Sequence, residues 1–127
     1  MTAEAMKVTA SELRAEVENR AGGIFVTLAG TADLRVTERI GSLLDQVHQA
    51  AQDSQVSMVK VDLLDLEFMN SSCFKSFVKW ITQVEALPRQ SQYRIRFISN
   101  PAILWQRRSL HALSCFAAEL IAIEVAR

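Results

Sequence analysis

Three adjacent polar residues, Asn70, Ser71 and Ser72, stand between an apolar segment and an amphipathic one. The apolar segment has the character of a strand that runs through Leu66 or Phe68, and the residues after the polar turn repeat at helical spacing. Two hydroxyl groups are therefore predicted to lie where a strand passes into the N-terminus of a helix. At such a position Asn and Ser can cap the helix, bind an anion or accept a phosphoryl group. Capping alone needs only one of the three residues.

Helical spacing shows what a phosphoryl group on Ser71 would meet. The N-terminal dipole of the helix and its unpaired N–H groups lie at this end, and Lys75 and Lys79 follow one and two turns along. The dipole and each ion pair contribute only about 0.3–1 kcal/mol. The phosphoryl group itself adds a charge of roughly −1.5 to −2. Phosphorylation would therefore cost the fold little and would change a docked partner surface sharply, which indicates a switch rather than a catalyst.

Other residues that could support catalysis or metal binding are not arranged for either. His48 and His111 lie in predicted helices, and His48 has no acid at ligand spacing. The chain has 4 glycines, and none has the spacing of a phosphate-binding loop. The closely spaced acids are best explained as solvated charges at the end of a strand: Asp62, Asp65 and Glu67. We therefore predict that the protein is not an enzyme, with no catalytic residue, metal site or cofactor.

Composition and charge narrow the function classes further. Among the 127 residues, 14 Lys and Arg balance 14 Asp and Glu, so no field of one sign favours nucleic acid or an anionic membrane. The apolar runs are shorter than the roughly 20 residues of a spanning helix, and the N-terminus lacks the apolar core of a signal peptide. Cys73 and Cys115 lie far apart and predict free thiols in a reducing compartment. We expect a cytoplasmic protein without a membrane span.

Hydrophobic periodicity predicts the elements that position the polar turn. Residues 1–10 show no clear period and are predicted to be a flexible tail, which leaves one domain over residues 11–127. Two strands, 13–18 and 24–28, are predicted to form a hairpin through Gly22-Gly23. Helices are then predicted to alternate with strands, with helices near 36–51, 71–87 and 103–116 and strands near 56–66, 93–98 and 120–125. The order β-β-α-β-α-β-α-β predicts an α/β domain with a mostly parallel mixed sheet of about five strands, antiparallel only at the hairpin.

At the polar turn the sequence resembles the STAS domain, the fold of anti-sigma factor antagonists. In that family a strand of the form L-D-L-x-x-L-x-F-M/I-D-S-S/T-G-L runs into a helix, and the matching segment here is VDLLDLEFMNSSCF, residues 61–74. The segment LAGTADL, residues 28–34, is similar to the family's L-x-G-x-x-D, and Ser99-Asn100-Pro101 is similar to its turn into the third helix. The sequence departs from the family where Asn70 replaces aspartate and Cys73-Phe74 replaces Gly-Leu.

The resemblance implies a regulatory cycle. In the family the serine after the aspartate is phosphorylated, which makes Ser71 the expected acceptor, with Ser72 second. The unmodified form would bind an anti-sigma factor or another serine/threonine kinase-type regulator, phosphorylation would release it, and a metal-dependent serine/threonine phosphatase would restore it. The implied setting is a bacterial partner-switching pathway that regulates transcription. We assign six residues to the predicted partner-binding surface, the two lysines by helical spacing alone: Asp33, Asn70, Ser71, Ser72, Lys75 and Lys79.

Two other functions stay open at this point. Asn70 and Cys73 could mark a divergent domain that has lost phosphorylation and acts as a constitutive scaffold. Alternatively, a pocket under the Asn70 turn could bind a small molecule or lipid, with Trp80 and Trp105 as apolar contacts. Cys73 itself has two explanations. Either its position at a helix N-terminus lowers its thiol pKa and makes it reactive, or it is a small residue standing where the family has glycine.

Overall fold

A computed structural model describes residues 5–10 and 12–126, which form one α/β unit. The strands are β1 (Ala5–Ala10), β2 (Leu13–Arg20), β3 (Gly23–Ala32), β4 (Met58–Met69), β5 (Arg94–Ser99) and β6 (Ile121–Val125). The helices are α1 (Thr37–Ser54), α2 (Ser71–Glu85) and α3 (Leu104–Phe116), with short 3-10 turns at Leu34–Val36 and Arg89–Ser91. Within the described residues, no helix is long and apolar enough to cross a membrane.

The six strands form a single sheet in the order β1-β2-β3-β4-β5-β6. β1 and β3 each pair antiparallel with β2, and β3, β4, β5 and β6 run parallel. Of these strands, β4, β5 and β6 each follow one helix, which is the crossover arrangement that the alternating pattern predicts. The predicted fold class and element order from the hairpin onwards are confirmed.

The flexible tail predicted for residues 1–10 is wrong for residues 5–10. These residues form β1, which pairs with β2 over its whole length, from Ala5 opposite Glu18 to Ala10 opposite Leu13. The sheet therefore has six strands rather than about five. A strand this short shows little periodicity, and it is stabilised by backbone hydrogen bonds to the edge of β2 that no local pattern reveals. Residues 1–4 lie outside the described part of the chain.

The hydrophobic core lies between the helices and one face of the sheet. Buried and exposed side chains alternate along β4 and β5, where Val59, Val61, Ile95 and Phe97 are buried. Phe77 of α2 packs on Phe97 with their ring centroids 6.0 Å apart. The helices contribute further buried side chains: Ile40, Leu43, Leu44 and Val47 of α1, Trp80, Ile81 and Val84 of α2, and Leu110 and Leu113 of α3.

A polar network joins α1, α2 and the segment before β5. Trp80 Nε1 donates to Tyr93 OH at 2.8 Å, and Tyr93 OH lies 2.6 Å from His48 Nδ1. The Tyr93 oxygen accepts the indole proton, which leaves its own proton available to Nδ1 of a neutral His48 imidazole. Burial lowers the pKa of His48 and raises the pKa of Tyr93. His48 is thus a boundary residue held by a core tyrosine.

Candidate functional site

Asn70 is the cap that starts α2. Its backbone is extended, with φ −69° and ψ 151°, and its Oδ1 accepts a hydrogen bond of 2.7 Å from the Ser72 N–H. Its own N–H donates to the Ala32 carbonyl at 2.7 Å, which ties the turn to the end of β3. Its carbonyl accepts from the Phe74 N–H at 3.0 Å and so begins the helix. Because Asn70 supplies the cap, neither serine is needed for it.

Ser71 is the first residue of α2 and is exposed to solvent. Its hydroxyl makes no hydrogen bond with any residue that the structure describes, whereas Ser72 is half-buried, with its carbonyl 3.5 Å from Ser76 Oγ. The first N–H groups of a helix have no partner within it, and the positive end of the helix dipole lies beside them. The arrangement leaves one accessible hydroxyl at an electropositive helix end.

Lys75 and Lys79 lie on the exposed side of α2. Their spacing of four residues from Ser71 and from each other places all three along one side of the helix. Within the described part of the chain neither lysine forms a salt bridge. The two lysines therefore lie along the same side of the helix as Ser71, as predicted. Their role in partner binding stays a prediction.

Asp33 caps the 3-10 turn that precedes α1. Its Oδ1 accepts a hydrogen bond of 3.0 Å from the Arg35 N–H, and its Oδ2 lies 2.6 Å from Arg35 Nη2. The hydrogen bonds from the Arg35 side chain hold the pKa of Asp33 below its usual value. The Asp33 charge is thus engaged by its own loop, which limits what it can offer a partner.

Cys73 ties the start of α2 to this same loop. The residue is buried, and its Sγ lies 3.5 Å from the Asp33 carbonyl oxygen and 3.6 Å from Thr37 Oγ1. Burial raises the pKa of the thiol, because a thiolate would lose its solvation there. Of the two explanations for Cys73, the geometry favours a small packing residue over a reactive thiolate.

Three large apolar side chains on the segments next to the turn are exposed, and sequence reasoning did not predict their exposure. Leu34 is 66% exposed, Phe68 is 48% exposed and Leu104 is 86% exposed. Leu34 follows Asp33, Phe68 precedes the cap by two residues, and Leu104 opens α3. We call Leu34, Phe68 and Leu104 the apolar rim. The sequence does contain one sign of their exposure. They do not fit the helical and strand periods that predict the burial of the other large apolar residues.

The end of β4 that leads into the turn is anchored by polar side chains from α3 and the turn that precedes it. Pairing between β4 and β5 ends at Asp62 opposite Ile98, so the following β4 carbonyls lose their strand partner. Gln106 Nε2 donates to the Leu63 and Leu66 carbonyls at 2.6 and 3.0 Å. Two more side chains complete the anchor: Asn100 Nδ2 donates to Leu64 O at 2.8 Å, and Trp105 Nε1 donates to Glu67 O at 2.9 Å.

The anchor brings α3 and its exposed Leu104 next to the Asn70 turn. Gln106 is fully buried, and its Oε1 also accepts from the Asn100 N–H at 2.8 Å. An unpaired buried carbonyl would cost about 1–3 kcal/mol. These side chains therefore supply the hydrogen bonds that a neighbouring strand would otherwise donate. Sequence reasoning identified the turn at Asn100 but missed Gln106, because a lone glutamine in a helical pattern carries no sign of which backbone it will meet.

The two tryptophans do not form a pocket wall under the turn. Trp80 is 1% exposed and lies in the core, where its N–H is bound to Tyr93. The N–H of Trp105 is bound to the β4 backbone. Within the described residues, no group of three or more His, Cys, Asp and Glu side chains is placed to hold a metal ion. The site therefore consists of a capped helix end, an accessible hydroxyl, two lysines and an apolar rim.

Comparison with solved structures identifies the fold. An anti-sigma factor antagonist from Mycobacterium paratuberculosis superposes with a TM-score of 0.64 at 15% identity, over 92% of this chain and 90% of that one. A chain in the complex of the diguanylate cyclase SiaD with its activator SiaC, from Pseudomonas aeruginosa, superposes with a TM-score of 0.69 at 16% identity, over 95% and 99%. No protein-family model matches the sequence, and no curated protein matches it significantly.

The chain has the fold of an anti-sigma factor antagonist. The resemblance to the STAS domain that the sequence predicts is confirmed at the level of the fold, over nearly the whole chain.

Proposed function

We propose that this protein is a protein-binding switch whose partner docks at the Asn70 turn and whose docking is controlled by phosphorylation of Ser71. The observation that carries the proposal is the Ser71 hydroxyl, which is exposed at the start of α2 and has no hydrogen bond to the described residues, while Asn70 caps the helix. A residue that served only the fold would be expected to share in the capping. Ser72 is the second choice of acceptor, because it is half-buried.

The apolar rim supports docking at this place. Large apolar side chains exposed on a surface are characteristic of protein-binding sites, whose buried part is apolar. A partner that covers Leu34, Phe68 and Leu104 would bring its own groups over Ser71. A phosphoryl group would then place a charge of roughly −1.5 to −2 in the centre of a desolvated contact, where an unpaired charge is strongly unfavourable. This charge supports the proposed release of the partner on phosphorylation.

The class of partner is proposed from the fold. An anti-sigma factor antagonist has this fold, and so has a chain in a complex between a diguanylate cyclase and its activator. For this chain we propose an anti-sigma factor or another serine/threonine kinase-type regulator in the bacterial cytoplasm, with a metal-dependent phosphatase that resets Ser71. Lys75 and Lys79 would contribute to the docking surface, and Asp33 would do so only indirectly, through the loop that it holds with Arg35.

Incubation of the purified protein with ATP and candidate kinases, followed by intact mass spectrometry, tests the acceptor. We expect one added phosphoryl group that is lost in Ser71→Ala and kept in Ser114→Ala, a half-buried serine on α3 that serves as the matched control. Phosphate that persists in Ser71→Ala and disappears in Ser72→Ala would move the acceptor to Ser72. A partner that binds the wild type, Ser71→Ala and Ser71→Asp equally well would favour the constitutive scaffold instead.

A further inference from the structure

A cavity of about 240 Å³ lies on the helix side of the sheet, between α3 and the C-terminal ends of β5 and β6. Its apolar wall is formed by Leu110 of α3 with Ile123 and Val125 of β6. The carboxyl ends of parallel strands are a common place for ligand sites in open α/β sheets. None of the residues assigned above to partner binding lines this cavity, so it is separate from the Ser71 surface.

Ser99 supplies an unused polar group inside the cavity. The residue is 6% exposed, yet its hydroxyl makes no hydrogen bond with any residue that the structure describes. Its backbone is engaged, since Ser99 O accepts from the Ala126 N–H at 2.9 Å, so the hydroxyl is the free group. No buried side-chain nitrogen or oxygen of the described residues lacks a hydrogen-bond partner, so the unbonded Ser99 oxygen is one that a molecule in the cavity can reach.

The charged side chain that lines the cavity is basic. Arg107 and His111, one turn apart on α3, both line it, and no acidic residue is among the lining residues that the structure describes. Arg107 forms no salt bridge within this part of the chain. Guanidinium groups bind carboxylates through paired, charge-assisted hydrogen bonds. The cavity thus offers a cation at its edge, an apolar wall and an unbonded hydroxyl.

The wall of the cavity is also held in place before any ligand arrives. Asn100 and Gln106 both line it, and their side chains are hydrogen-bonded to the β4 carbonyls described above. A preformed site loses less entropy on binding than one that must be ordered by its ligand. Its size restricts the ligand, since an apolar cavity of about 150 Å³ holds benzene and typical ligand pockets exceed about 300 Å³. The 240 Å³ cavity suits a single ring with one or two polar substituents.

We propose that this cavity binds a small amphipathic carboxylate, a single-ring or short-chain acid with a second polar atom. Its carboxylate pairs with Arg107, its apolar body packs on Leu110, Ile123 and Val125, and its second polar atom hydrogen-bonds to Ser99. A small-molecule site, which the sequence analysis considered under the Asn70 turn, is thus proposed at a different place. Neither tryptophan lines it. This ligand site does not depend on phosphorylation of Ser71.

Para-hydroxybenzoate is the probe that carries all three features, and titration followed by amide chemical shifts measures its Kd. We expect saturable shifts at Ser99, Ile123 and Val125. Benzoate, which lacks the hydroxyl, is expected to bind about threefold to tenfold more weakly, and para-hydroxybenzyl alcohol, which lacks the charge, about tenfold or more weakly.

Matched variants separate the two polar contacts. In Ser99→Ala the preference for para-hydroxybenzoate over benzoate should disappear, while the preference for the acid over the alcohol persists. In Arg107→Gln the acid-over-alcohol preference should disappear, whereas Arg108→Gln, a change at an exposed neighbour outside the cavity, should leave every Kd unchanged. Absence of saturation up to about 10 mM acid, or equal Kd values in Arg107→Gln and Arg108→Gln, would overturn the proposal.

Discussion

The two halves of α2 use polar residues in opposite ways. Towards its C-terminal end the helix carries Trp80, whose N–H closes a chain of hydrogen bonds through Tyr93 to His48. At its N-terminal end Asn70 satisfies the backbone, and the neighbouring Ser71 hydroxyl stays exposed and unbound. Within the described residues no buried side-chain nitrogen or oxygen lacks a hydrogen-bond partner. One end of the helix therefore stabilises the fold, and the other keeps a group accessible.

The difference teaches where substitutions should affect stability and where they should affect only recognition. A group in the closed network cannot change without leaving a cavity or an unpaired partner. A group at the open end can change with little effect on folding, because water already surrounds it. Four measurements test this contrast, beginning with the largest expected effect.

Trp80→Ala tests the C-terminal half of α2, where Trp80, Tyr93 and His48 are hydrogen-bonded to one another. Removal of the indole leaves a cavity in the core and takes away the donor to Tyr93, so we expect the free energy of unfolding to fall by about 3–5 kcal/mol. Urea denaturation followed by circular dichroism measures it, and Lys79→Ala, at the adjacent exposed position, is the matched control with an expected change within about 0.5 kcal/mol. A loss under about 1 kcal/mol in Trp80→Ala would contradict the packing described here.

Asn70 tests the cap. Asn70→Ala removes the acceptor of the Ser72 N–H and should lower the free energy of unfolding by about 1 kcal/mol, with a range of about 0.5–2 kcal/mol. Asn70→Asp keeps a capping oxygen and should remain within about 0.5 kcal/mol of the wild type. The same denaturation experiment distinguishes the two variants. Equal stability of Asn70→Ala and Asn70→Asp would show that the cap does not stabilise α2.

The closed network should also respond to pH. Burial lowers the pKa of His48 below its ordinary value of 6.5, so the unfolded state takes up the proton first as the pH falls. Stability is therefore complete above about pH 6.5 and is lost below it until the folded-state pKa is reached, by about 1.4 kcal/mol per unit between the two pKa values. Unfolding free energies at several pH values measure this loss.

Two histidine variants isolate the source of the pH response. His48→Gln removes the titrating ring and should flatten the dependence between neutral and mildly acidic pH. His111→Gln leaves the contact between His48 and Tyr93 intact and should retain it. If His111→Gln flattens the curve and His48→Gln does not, the buried network is not its source.

Substitutions of Ser71 test the N-terminal end of α2 and should have the smallest effect on the free energy of unfolding. Ser71→Ala and Ser71→Asp should both unfold within about 0.5 kcal/mol of the wild type, since the side chain is exposed and a negative charge is favourable at a helix N-terminus. Thermal unfolding by calorimetry measures both. A loss above about 1 kcal/mol in Ser71→Ala would mean that the hydroxyl has a structural role, which would weaken its assignment as a free acceptor.

Much of the fold could be predicted because the relevant patterns are local. The apolar stripe of α2, the alternation of β5 and the Asn70 turn each depend on residues close together in the chain, and all were located correctly. Strand β1 could not be predicted, because it is held by backbone hydrogen bonds to β2 and its own sequence shows no clear strand pattern. Gly30 lies within β3, beyond the end predicted for that strand: its φ of +98° and the Glu12 carbonyl, which a Cβ would overlap, require glycine.

The sequence by itself determined the order of the elements, the position of the helix cap and the presence of a serine pair beside it, since periodicity and capping depend on neighbouring residues. Tertiary structure alone decided which serine is accessible, how Cys73 is buried, and how Gln106 and Leu104 come to lie beside a strand about 40 residues earlier in the chain. These depend on contacts between distant segments, whose distances and burial no local pattern contains. The same holds for the cavity at Ser99, which exists only because α3 packs beside β6.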